Sequence, residues 1–129
     1  MDLLTPTLRE SLLTNGRCEA DHWPVVKFFN PVGAATWLFS GLDADGDTLF
    51  GLCDLGFGFP ELGSASLTEI ASVRLPLGLR IERDLAFAAS HPLSVYAEAA
   101  RLCSQITEHP DHLERAAQAL AQERSRSPP

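Results

Sequence analysis

The spacing of apolar and polar positions predicts a mixed order of short helices and strands. Leu8, Leu12 and Leu13 recur at helical spacing behind Thr5-Pro6. Thr5 suits an N-cap, and Pro6 suits the first helical position, where its missing N–H costs nothing. Asn15-Gly16 is expected to end this helix, since both residues tolerate the left-handed conformation. Residues 17–23 read as a polar loop. Residues 24–29 are β-branched and aromatic, and Asn30-Pro31 stops them, so they read as a strand. A second strand is expected at 35–42 and a third at 48–53, joined as a hairpin by the turn cluster 43–47.

Residues 54–63 carry Gly56, Gly58, Pro60 and Gly63 and predict an irregular loop, with a short strand at 61–64. Ser66 and Glu69 form a capping box that opens a short helix ending near Arg74. Residues 79–87 alternate, with Leu79, Ile81, Arg83, Leu85 and Phe87 on one side, which predicts a half-buried strand. A helix follows at 93–106, with Val95, Ala99, Leu102 and Ile106 inward. Pro110 interrupts it, and an Ala-rich helix follows with Leu113, Ala116, Ala117 and Leu120 inward. The expected fold is α+β: an antiparallel sheet of four to five strands, packed on one face by a C-terminal helix, with short flanking helices. One domain is expected over 1–107, an additional helix over 108–123 and a disordered tail over 124–129.

Composition narrows the class. The chain has 129 residues, of which 45 % are hydrophobic and 21 % charged, as in an ordinary globular domain rather than a disordered chain. Cys18, Cys53 and Cys103 are odd in number and share no CxxC spacing, so reduced thiols are expected. No signal-peptide pattern and no membrane-length apolar run is visible, so the expected compartment is the cytoplasm. The net charge is −7. Residues 1–64 hold three basic groups against nine acidic ones, a net of −6. Such a half repels phosphate and suits a basic partner surface.

Candidate chemistry is sparse. Asp43, Asp45 and Asp47 sit in the hairpin turn, but Gly46 falls at the wrong place for a calcium loop, and strand residues follow. They are read as a partner-facing acidic turn. The candidate polar surface is Trp37, Glu61, Arg74, Glu82, Arg83 and Asp84. Its groups could form an ion-pair network, a binding site, or paired carboxylates for acid–base work. The loop with Gly56-Phe57-Gly58 lacks a phosphate-loop lysine. Phe57 and Phe59 would either serve a partner surface or pack on the sheet. The four histidines are scattered and read as surface or capping residues. No metal and no cofactor is expected.

Several blocks carry a family resemblance: Leu3-Leu4-Thr5, Val25-Val26-Lys27-Phe28-Phe29, Thr36-Trp37-Leu38, and Phe50-Gly51-Leu52-Cys53-Asp54-Leu55-Gly56. Glu61-Leu62-Gly63, Ser66-Leu67 and the run from Pro76 through Leu77-Gly78-Leu79-Arg80-Ile81-Glu82-Arg83 to Asp84 complete the set. Over about residues 2–100 the chain resembles the bacterial family called domain of unknown function 2958. The resemblance implies a small cytoplasmic protein, often encoded on plasmids and integrative elements, with no catalytic residues to transfer. It also marks three departures: Gly41 stands near an expected acidic residue, Ser64 replaces an aromatic, and Arg80 replaces a proline.

The function expected is that of a non-enzymatic accessory factor of a mobile genetic element. It would act by protein–protein interaction, with an anti-restriction or other anti-defence role as one form. One alternative is a nucleic-acid-associated module using Arg74, Arg80, Arg83 and Trp37, which the acidic balance disfavours. The other is a small enzyme using Glu61, Glu82 and Asp84. The sequence leaves the oligomeric state open.

Overall fold

The computed structural model describes residues 2–126. Helix α1 (Pro6–Gly16) begins where the sequence places it: the Thr5 side chain accepts from the Leu8 N–H at 3.2 Å. Strands β1 (Val26–Phe29), β2 (Thr36–Leu42), β3 (Thr48–Asp54), β4 (Glu61–Ser66) and β5 (Glu82–Arg83) form one antiparallel sheet of order β4-β3-β2-β1-β5. Helix α2 (Leu67–Ser72) starts at the Ser66 cap, which accepts from the Glu69 N–H. Helices α3 (Leu93–Cys103) and α4 (Pro110–Arg126) close the chain. The fold is α+β.

The C-terminal helices cover one face of the sheet, as expected, and α1 and α2 cover the other. On the first face, Val26, Phe28, Trp37, Phe39 and Leu49 pack with Leu12 of α1, Leu67 and Ile70 of α2, and the N-terminal Leu3 and Leu4. On the second, Leu38 and Leu52 pack under Tyr96 and Ala99 of α3 and Leu113 of α4. Helix α1 is therefore a core element rather than a flank. Strand alternation explains the division, since neighbouring residues of β2 face opposite cores.

A bulge decides how β2 ends. The β2–β3 register is Phe39↔Gly51 and then Gly41↔Phe50, so Ser40 is an extra residue. Simple alternation would put Gly41 beside Trp37 and Phe39. The bulge changes the parity, so that Leu42 joins the α1 face and Gly41 turns to the second face. The buried Ser40 carbonyl accepts from Asn15 Nδ2 at 2.9 Å. Next to it, α1 approaches the strand backbone: a Cβ on Gly16 would lie 2.1 Å from the Leu42 carbonyl oxygen. Gly16 is needed for this close approach and not, as the sequence suggested, for a left-handed helix end. The helix instead ends through Arg17 in right-handed geometry.

Other boundaries also differ. The strand expected over 79–87 shrinks to Glu82–Arg83, which pairs with Phe29 and Phe28 of β1. Asp84 then closes an Asx turn by accepting from the Ala86 N–H at 2.9 Å, which leaves Leu85 exposed. Strand β4 is longer than expected and pairs along its whole length with β3. Helix α3 stops at Cys103 because Ser104 adopts a left-handed conformation, and Leu102 faces solvent. Helix α4 continues through 124–126, which were expected to be disordered. The rest of that expected tail, 127–129, lies outside the described residues. No helix among the described residues is long and apolar enough to cross a membrane.

The crowding at Gly16 predicts that Gly16→Ala destabilises the protein by about 1–3 kcal/mol, since backbone must move to admit the methyl group. Gly63→Ala, with open space around its added Cβ, should change stability by less than about 0.5 kcal/mol. Urea denaturation of the two variants measures the difference.

Candidate functional site

The structure disperses the polar surface expected from the sequence. Glu61 begins β4 and Glu82 begins β5, at opposite edges of the sheet. Four strand spacings of about 4.8 Å separate those edges by roughly 19 Å. Paired carboxylates need about 5–9.5 Å, so Glu61 forms no acid–base pair with Glu82 or Asp84. Trp37 is only 8 % exposed and lies in the α1 core, where its ring cannot stack on a base. Arg83 lies opposite Phe28 and donates to the carbonyls of Leu3 at 2.7 Å and Asp2 at 3.3 Å, which fastens the N-terminal segment under the sheet. Arg80 donates to the Ala71 carbonyl, and Arg74 is exposed beyond α2.

Asp84 belongs to an ion-pair network around the single lysine. Lys27 Nζ lies 2.6 Å from Glu108 and 3.4 Å from Asp84. Burial opposes the charge on Lys27, but these two carboxylates outweigh it and hold the lysine above its ordinary pKa. The network joins β1 to the segments after β5 and before α4.

The acidic turn is also mainly structural. Asp45 accepts from the Thr48 hydroxyl at 2.6 Å and from the N–H groups of Thr48 and Asp47, and these bonds hold its carboxyl below the usual range. Asp47 accepts from the hydroxyl and N–H of Thr68 and from the Ser66 hydroxyl, with the same consequence. It ties the β2–β3 hairpin to the start of α2. Only Asp43 makes no side-chain hydrogen bond among the described residues, and it lines a groove on the second face of the sheet.

That groove has a volume of about 540 Å³, and a hollow of similar size, about 580 Å³, lies apart from it between the N-terminal segment and α2. The bulge turns Gly41 into the floor of the groove, and Phe50 of β3 with Leu62 of β4 continue the floor. These two side chains are 45 % and 49 % exposed, because α3 covers only the part of this face over Leu38 and Leu52. One wall is the loop 17–23. Asp21 holds it by accepting from the N–H and hydroxyl of Ser94 in the first turn of α3. The His22 carbonyl accepts from the Leu93 N–H, and His22 Nε2–H donates to the Cys18 carbonyl at 2.6 Å. A carboxylate at a helix N-terminus is favourable, so this wall is anchored electrostatically as well as by hydrogen bonds. The rim carries Glu19, Asp21 and Asp43 against Arg17.

Sequence reasoning missed this groove. Asp21 meets Ser94 across 73 positions, and no local pattern signals such a contact. One signal was present: β3 carries apolar residues on both sides, Leu49 against Phe50 and Leu52. That pattern marks a strand with two apolar faces, one of which is left partly open. Beyond the sheet, Phe57 and Phe59 stand 79 % and 78 % exposed on the loop between β3 and β4, so they do not pack on the sheet. No three His, Cys, Asp or Glu side chains among the described residues gather to hold a metal ion.

A sequence model of the family described as "Protein of unknown function (DUF2958)" matches residues 3–107. The chain belongs to this family. All five strands and every residue of the groove lie within the matched region, whereas α4 follows it. Of the three departures noted from the family pattern, Gly41 and Ser64 both line the groove, and Arg80 lies apart from it. Comparison with curated proteins and with solved structures finds no match.

The Asp47 contacts predict an acid-sensitive fold. A carboxylate whose pKa is lowered on folding adds stability that is complete above its unfolded value and is lost as pH falls through the folded one. Thermal melts between pH 7 and pH 2 should therefore show a shallower acid decline for Asp47→Asn than for the unaltered protein. Separately, Arg83→Met should cost about 1.5–3 kcal/mol in urea denaturation, because it leaves the Leu3 carbonyl without its charged donor.

Proposed function

We propose that this protein is a non-enzymatic interaction module that binds a basic segment of another protein in the groove between loop 17–23 and the β2–β4 surface. The observation that carries this reading is the combination of a partly exposed apolar floor, Phe50 and Leu62, with an acidic rim. Isolated exposed apolar residues are common, but a concave apolar floor with a polar, mainly acidic rim is the composition of a recognition site. The overall charge of −7, concentrated in residues 1–64, supports the same choice of partner. It would also speed the approach of a basic surface. The family resemblance supports an accessory role on a mobile element. The partner is then a protein of the element or of its host, and an anti-restriction or other anti-defence task is one such role.

The dispersed carboxylates and the buried Trp37 lend no support to the enzyme and nucleic-acid alternatives. Asp45 and Asp47 are unsuitable as partner contacts, since their oxygens already bind Thr48, Ser66 and Thr68. Among the turn acids, the reading assigns recognition to Asp43.

Affinity capture from the native cell extract tests the proposal. The tagged protein should retain a basic protein near equal amounts at low salt. Leu62→Asp should lose it, and the pair Glu19→Gln with Asp43→Asn should weaken it by about tenfold, as expected for roughly 1.4 kcal/mol. Retention of the same partner by all the variants would overturn the proposal.

A further inference from the structure

The edge of the sheet beside the groove has an unpaired backbone. Among the described residues, strand β4 hydrogen-bonds in the sheet only to β3. The Leu67 N–H donates to the Asp47 carbonyl at 2.9 Å, which sets the phase of the ladder. Hydrogen-bonded pairs in an antiparallel ladder alternate with non-bonded pairs. The bonded pairs are therefore 49/65, 51/63 and 53/61, and the pairs 50/64 and 52/62 are non-bonded. The N–H and C=O groups of Leu62 and Ser64 consequently point away from β3, toward the open edge. The same two residues turn their side chains into the groove.

Natural edge strands are usually blunted by lysine, proline, a bulge or extreme shortness. Strand β4, Glu-Leu-Gly-Ser-Ala-Ser, has none of these and carries one charge, Glu61, at its start. Its register with β3 is continuous over six pairs.

We infer that β4 is a strand-addition site, at which an extended basic segment of the partner protein pairs with the outward N–H and C=O groups of Leu62 and Ser64. The inference rests on the groove reading above and adds the mode of recognition. In strand addition, main-chain hydrogen bonds supply affinity and alternate side chains supply specificity. Residues of the incoming segment opposite Leu62 and Ser64 share their face, so they extend the apolar strip of Phe50 and Leu62. A basic residue beside that pair meets Glu61 at the strand start. Charge selects the occupant: a second copy of this chain would bring a further −7 to an acidic site.

The probe is a synthetic peptide, Lys-Lys-Val-Thr-Val-Lys-Lys, with both ends blocked. Amide hydrogen exchange of the full chain is read by NMR, free and with peptide up to about 1 mM. In the free protein, Leu62 and Ser64 amides should exchange quickly and those of Gly63 and Ala65 slowly. Saturating peptide should slow Leu62 and Ser64 by about tenfold or more. A counterpart with glutamate in place of lysine should not. Ser64→Pro removes an outward N–H that the fold does not use and should weaken binding by about tenfold. Should that variant fail to fold, a peptide N-methylated at one valine performs the same deletion from the other side and should bind equally poorly.

Peptide that shifts Phe50 and Leu93 signals without protecting Leu62 and Ser64 would overturn strand addition while leaving the groove as a protein site. Equal binding of the glutamate peptide, or no binding of either, would overturn the basic-segment inference, and affinity capture then judges the groove reading independently. Leu62 and Ser64 amides already protected in a protein that sediments as a dimer would assign the edge to a second copy instead.

Discussion

The docking of the Asn15–Gly16 end of α1 onto the bulged β2 strand is the contact on which the rest of the structure depends. The bulge lies at the buried Ser40, whose carbonyl accepts from the Asn15 side chain. An unpaired buried carbonyl would cost about 1–3 kcal/mol, so the bulge and the helix end require each other. Gly16 then allows helix and strand backbones to touch, which no larger residue permits without movement. Two results follow from one extra residue. Leu42 completes the core under α1, and Gly41 is left as a smooth floor on the other face.

Polar side chains connect these layers. Asp21 caps α3 from the far end of the chain, Asp47 joins the hairpin to α2, and the buried Asp54 carboxylate accepts from the N–H groups of Gly56 and Ile106. Arg83 performs the same task for the N-terminal segment. Each converts a charged group into a link between elements distant in sequence, and each satisfies backbone groups that helix ends or loops leave open. Much of the acidity that draws notice in the sequence is therefore structural. The acids of the groove rim differ, because Asp43 has no such task and Asp21 reaches the rim while holding it.

The groove and the β4 edge share a cause. Helices α3 and α4 cover the second face only over Leu38 and Leu52, so Phe50, Leu62 and Ser64 remain at its open side. A third helix over this region would have buried both the floor and the edge. Loop 17–23 instead stands as a wall and leaves the edge accessible. The groove and the open edge are thus what the helices do not cover.

Local chemistry alone determined much of this protein. Thr5-Pro6 and Ser66 with Glu69 mark helix starts because caps act within three residues. Apolar runs ended by Asn30-Pro31 and by the Asp43–Asp47 turn mark strands because the strand period and the turn residues are local. The α+β class and the family pattern follow from such segments. The tertiary structure decided what depends on partners: the length of β5, which gives way to the Asp84 turn; the parity of Leu42, set by the bulge; and the role of Gly16, set by the Leu42 carbonyl. It also separated Glu61 from Glu82 and joined Asp21 to Ser94, since sheet order and loop docking relate residues by space rather than by spacing along the chain. The groove belongs to this second class, because its floor comes from three strands and its wall from a loop that α3 fastens at Asp21 and His22.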